Sequence, residues 1–142
     1  MYLGVIIVFS EITTDLDLLK IKDFIKKTNC KVCLVNNGAN KEVKIEINEL
    51  EHLYNNVLTL NIKRIKNLNA VVKMGTRLLN SIFDFSLIVF LDSIDANNLD
   101  ELIQKLKNIK THKEKYTPIS TRSKREIFSQ VYSIKELYSK II

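Results

Sequence analysis

Ser86-Leu-Ile-Val-Phe-Leu-Asp92-Ser-Ile-Asp95 is an apolar run that stops abruptly at two acids. Too short for a helix core and rich in Val, Ile and Phe, it reads as a strand buried on both faces, the kind a parallel sheet contains. Its carboxylates then emerge at the strand's C-terminal tip. In open α/β sheets that edge gathers backbone groups and side chains from several strand ends while helices cover the faces, so ligands bind there. Asp92 and Asp95 are on this ground the first candidates for chemistry.

Upstream, the same alternation of apolar runs and amphipathic stripes recurs. Tyr2 to Phe9 reads as a first strand with Gly4-Val-Ile-Ile-Val8 at its buried centre. Thr14 and Asp17 have the spacing of a capping box, and Leu18, Ile21, Phe24 and Ile25 make one helical stripe that ends on Lys26 and Lys27, where cations oppose the helix dipole. Lys31 to Val35 is a second strand, followed by Asn36-Asn-Gly-Ala39, residues that tolerate left-handed dihedrals in a turn. Ile47, Leu50 and Tyr54 share a helical face, Val57 to Asn61 is a short third strand, and Leu68, Val71, Val72, Gly75, Leu78, Leu79 and Ile82 recur at helical spacing. Gly75 inside that stripe costs about 1 kcal/mol against alanine, which points to close packing or to a ligand near the backbone.

After the opening stretch, Asn97 or Asn98 caps a helix with Leu99, Leu102, Ile103 and Leu106 on its apolar face. Residues 1–109 therefore read β-α-β-α-β-α-β-α, which predicts an α/β fold in three layers, a mostly parallel sheet with helices on both faces. Residues 110–142 read as a basic extension. It holds the only proline, Pro118, in a loop or edge strand from Tyr116 to Thr121, and a capping-box run from Ser123 to Glu126 that opens an amphipathic helix with Ile127, Val131, Ile134, Leu137 and Ile141 on one face, either continuous or broken at a second box-like run, Ser133 to Glu136. With no following segment to cover it, that helix is suited to homo-oligomer formation or to a partner protein.

The 142 residues, 46% apolar and 27% charged, suit one globular domain. The apolar start has neither the basic flank and cleavage site of an export signal nor the length of a membrane span, so a cytoplasmic location is expected. Cys30 and Cys33 form a C-x-x-C, but residues three apart on a strand point to opposite faces, so redox or zinc chemistry is not expected of them. The net charge of +6 lies in the tail: residues 1–107 carry 14 basic and 13 acidic side chains, residues 108–142 carry 8 and 3. Such a tail suits an anionic partner, or simply a solvated surface. No nucleic-acid-binding module accompanies it, and no nucleic acid is expected.

The order of these motifs resembles the N-terminal, nucleotide-binding half of family 2 glycosyltransferases of the GT-A fold. The matching stretches are Val5-Ile-Ile-Val8 with its helix, Val35-Asn-Asn-Gly-Ala39 where the family has Val-Asp-Asp-Gly-Ser, the Asn67 to Gly75 helix start, and Phe90-Leu-Asp-Ser-Ile-Asp95 where it has Phe-Leu-Asp-x-Asp-Asp. The resemblance covers about residues 1–107 and implies a nucleotide-diphosphosugar held at Asn36, Asn37, Gly38 and Asp92. It also implies Mn or Mg held by Asp92 and Asp95, since hard cations take oxygen ligands and a diphosphate leaving group needs counter-charge. Lys63, Arg64 and Lys66 either face that diphosphate or form a solvated loop. Because family members often act on lipid-linked acceptors, the resemblance further admits contact of the basic tail with a membrane surface.

The sequence departs from the family pattern in three places. Asn36 and Asn37 stand where acids read the base, Ile94 replaces the second acid of Asp-x-Asp, and fewer than fifty residues remain for the acceptor-binding half with its catalytic base. The expectation is a glycosyltransferase-like protein, impaired or inactive alone. The alternative is a scaffold or binding protein that keeps the fold without catalysis.

Overall fold

Every residue of Leu3–Phe9 is buried, and that strand, β1, is the axis of the sheet. The structure, a computed structural model, describes residues 3–82, 87–93, 101 and 131–133. Within them the chain runs β1, α1 (Asp15–Lys27), β2 (Lys31–Asn36), α2 (Lys41–Leu53), β3 (Val57–Asn61), α3 (Leu68–Asn80), β4 (Leu87–Asp92) and β5 (Val131–Ser133). The strands lie in the order β3-β2-β1-β4-β5, and every pairing is parallel.

Alternate side chains of each strand enter opposite cores, as the two-residue period of a strand requires. Leu3, Val5, Ile7 and Phe9 pack with Leu18, Ile21, Phe24 and Ile25 of α1 and with Val43, Ile47 and Leu50 of α2. Ile6 and Val8 face the other way, onto Val71, Val72 and Leu79 of α3. Two helices thus cover one face and α3 the other, the three-layer α/β architecture its sequence predicts. Moving from β1 through β2 to β3 with helices on one face, then back to β4 with a helix on the other, keeps one crossover hand throughout. This is a Rossmann-like arrangement.

Local chemistry sets the helix ends. The Thr14 hydroxyl accepts the Asp17 amide at 3.2 Å while the Asp17 carboxylate accepts the Thr14 amide at 3.0 Å, the reciprocal cap its spacing predicts. Asn40 and Asn67 cap α2 and α3 by one bond each, their Oδ1 atoms accepting the amides of Val43 and Ala70. Gly75 resolves to close packing, because a Cβ there would lie 3.1 Å from Ile6 Cδ1.

Two expectations are corrected. Ile82 lies past the end of α3 and is exposed. The helix expected over Ile127 to Ile141 does not run through its middle: Val131–Ser133 is extended and pairs with Ile88 to Phe90 as a fifth strand of the same sheet. Val131 and Tyr132 suit a strand as well as a helix, and the open side of β4 supplies the backbone partners that select the strand. Of the helix expected after β4, only Glu101 is described, and it is helical; the rest of that helix and Asp95 lie outside the described residues.

Candidate functional site

The strand order reverses direction at β1. One connection leaves it toward β2 and a later one returns to β4 on its other side, so β1 and β4 flank a switch point, where α/β folds place ligands. Asp92 ends β4 opposite Val8 and is half-buried, which puts it at the C-terminal edge of the sheet beside that switch point. Asn36 ends β2 opposite Phe9, and Asn61 ends β3 opposite Asn36, so Asn36, Asn61 and Asp92 lie at one edge of the sheet.

Their hydrogen bonds show what each now does. Asn36 Oδ1 accepts the Ala39 amide at 2.9 Å, bracing the turn that follows β2, and Asn36 Nδ2 reaches Asn61 Oδ1 at 3.4 Å. Asn37 grips Lys66 twice: its Nδ2 donates to the Lys66 carbonyl at 3.0 Å and its Oδ1 accepts the Lys66 amide at 3.1 Å. Gly38 is the sole described residue with left-handed backbone, φ 90°, and Ile65 lies so close that a Cβ there would meet it at 2.8 Å. Together these residues bolt the β2–α2 turn to the β3–α3 loop.

Two residues that sequence reasoning missed meet beside the switch point. Thr13 and Ser93 are buried, and their hydroxyls meet at 2.5 Å across the gap between the β1–α1 loop and the end of β4. Thr13 Oγ1 also accepts the Ser10 amide at 3.0 Å. Ser10-x-x-Thr13 is a legible local turn, but nothing local in the sequence announces its partner eighty residues on.

The start of α1 is a poor anion cradle. The β1–α1 connection has no glycine, its cap is filled by its own Asp17, and Asp15 and Asp17 put negative charge where a phosphate would sit. The start of α3 is the opposite: no acid lies in its first turn, and exposed Lys63, Arg64 and Lys66 precede it. Among the described residues, no three Asp, Glu, His or Cys side chains gather as a metal site.

Cys30, just before β2, and Cys33, within it, are buried in opposite cores and form no disulfide, as their spacing predicts. Burial, with a smaller push from the Glu51 charge, raises the Cys33 thiol to about 12, so it is inert at neutral pH. The groove between α1 and α2, lined by Asp15, Leu19, Lys22, Glu42 and Glu46, is a helix seam across which Lys22 pairs with Glu46 at 2.9 Å. No described helix is long and apolar enough to cross a membrane. Compared with known families and curated proteins, the chain matches no family model and no curated sequence.

Proposed function

We propose that this chain is a nucleotide-binding α/β domain of the glycosyltransferase-like, nucleotide-diphosphosugar type, impaired as a catalyst on its own. The observation that carries the reading is Asp92 at the C-terminal edge of the sheet beside the β1/β4 switch point. The charge pattern at α1 supports a diphosphosugar over a dinucleotide, because the helix start that cradles a dinucleotide pyrophosphate is here acid-rich and glycine-free. A diphosphate at this edge then depends on a divalent cation for its counter-charge. Asp92, with Asp95, supplies hard oxygen ligands suited to Mn or Mg, and the cation would steady the departing diphosphate.

The internal bonds of Asn36 and Asn37 support impairment. An amide that holds a turn together is not available to read a base without breaking that turn. The same bonds, with that between Thr13 and Ser93, favour a second reading in which the fold persists as a non-catalytic binding or oligomerising protein.

Calorimetric titration of the full chain with uridine and guanosine diphosphates, each with manganese, tests the first reading. Binding that requires manganese and disappears in Asp92→Asn supports it. No heat with either nucleotide at millimolar concentration would leave the scaffold reading, for which light scattering should then show an oligomer that Asp92→Asn leaves intact.

A further inference from the structure

The helices α1 and α2 on one face of the sheet differ in charge from α3 on the other. On one, α1 and α2 carry seven acids and six lysines between them, nearly balanced. On the other, α3 and the loop before it carry Lys63, Arg64, Lys66, Lys73 and Arg77 and no acid; the sequence has no Asp or Glu between Glu51 and Asp84. Lys73 and Arg77 stand one turn apart on the exposed side of α3, and no described carboxylate pairs with Lys63, Arg64 or Lys66.

Amid these cations the loop presents aliphatic surface. Ile65 is 68% exposed and Leu68 39%. A flexible loop would fold such a side chain away, but this one is held: Asn37 grips the backbone of Lys66 at both its polar groups, and Ile65 rests on the Gly38 turn. The outcome is a fixed prow of one isoleucine flanked by three cations, at the leading end of an acid-free helix.

We infer that this prow and the exposed side of α3 dock onto the surface of an anionic phospholipid bilayer, Ile65 entering the headgroup layer while the cations meet lipid phosphates and carboxylates. Charge complementarity selects an anionic partner, and the exposed aliphatic tip selects a lipid surface, because interfacial binding adds apolar burial to electrostatic attraction. A single-stranded nucleic acid fits less well, since such sites stack bases on aromatic rings and no aromatic residue occurs from Asn55 to Ile82. The inference is independent of whether a nucleotide binds at Asp92.

The test is vesicle flotation of the full chain, with phosphatidylcholine alone and with about 30% phosphatidylserine added, an anionic content that attracts basic segments. Binding is expected only to the anionic vesicles and should weaken with salt. The triple variant Lys63→Gln, Arg64→Gln, Lys66→Gln should lose about a hundredfold in affinity, at roughly fivefold per cation. It leaves the Asn37 grip intact, because that grip uses the Lys66 backbone. Ile65→Ser should lose about tenfold and Ile65→Leu almost nothing, with circular dichroism verifying that each variant is folded. Equal binding to both vesicle types overturns the inference, as does unchanged affinity in the triple variant, which would assign binding to another surface such as the basic tail. A single-stranded oligonucleotide bound more tightly than the vesicles, with Ile65→Ser indifferent, would also overturn it.

Discussion

The hydroxyls of Thr13 and Ser93, eighty residues apart in sequence, meet at 2.5 Å in a buried position and tie the first loop of the domain to the end of its fourth strand. The bond lies where the sheet reverses its strand order, beside the end of β4.

Removing one partner leaves the other buried without its bond. Ser93→Ala should cost about 1–2 kcal/mol, and Thr13→Val about 2 kcal/mol because the Ser10 amide loses its acceptor too. Chemical denaturation of both single variants and of the double variant measures this. A coupling energy near zero would mean that the two hydroxyls do not act as a pair.

Gly38 answers to two separate constraints. Gly38→Ala places a Cβ on left-handed backbone, about 1 kcal/mol, and drives it into Ile65. Combining Gly38→Ala with Ile65→Ala should recover the steric part and leave the backbone part. Thermal melts of the three variants separate them, and a double variant no better than Gly38→Ala alone would show that the Ile65 contact is immaterial.

Gly75 sits where α3 crosses β1. Gly75→Ala gains about 1 kcal/mol of helix propensity but pushes on Ile6, which is fully buried in the sheet and has little room to yield. The expected result is a net loss of stability in the single variant. In an Ile6→Val background, which lacks the 3.1 Å contact atom, the same substitution should become stabilising.

Asn37→Ala strips the β3–α3 loop of its two anchors at Lys66, at a cost of about 1–2 kcal/mol. Hydrogen exchange at the Lys66 amide should accelerate well beyond that of amides in β1. Unchanged exchange would indicate that the loop keeps its shape without Asn37.

The Cys33 thiol is raised from an ordinary value of 9.0 to about 12, so the folded state holds its proton where the unfolded chain releases it. Its contribution is therefore complete below about pH 9 and declines as pH rises toward 12. Cys33→Ala should flatten the fall in stability across that window. At pH 8, alkylation of Cys33 should be slow until the protein is unfolded.

Most of the architecture was legible because it is written locally. The apolar runs gave β1, β3 and β4 nearly to the residue, Thr14 and Asp17 marked the start of α1, and the spacing of Cys30 and Cys33 placed them on opposite faces. The site was legible only as residue types near strand ends. Asn36 and Asn37 read equally well as turn formers or as ligand contacts, and only their partners, Ala39, Asn61 and Lys66, distinguish the roles.

By itself the sequence determined the alternation of strands and helices, the caps, and the presence of an acid at the tip of a buried strand, because period, capping chemistry and turn propensity act over a few residues. Tertiary structure alone decided the order β3-β2-β1-β4-β5, the recruitment of Val131–Ser133 as a strand and the meeting of Thr13 with Ser93. Each of these joins groups far apart along the chain. Which distant groups meet is set by how the sheet buries its two faces together.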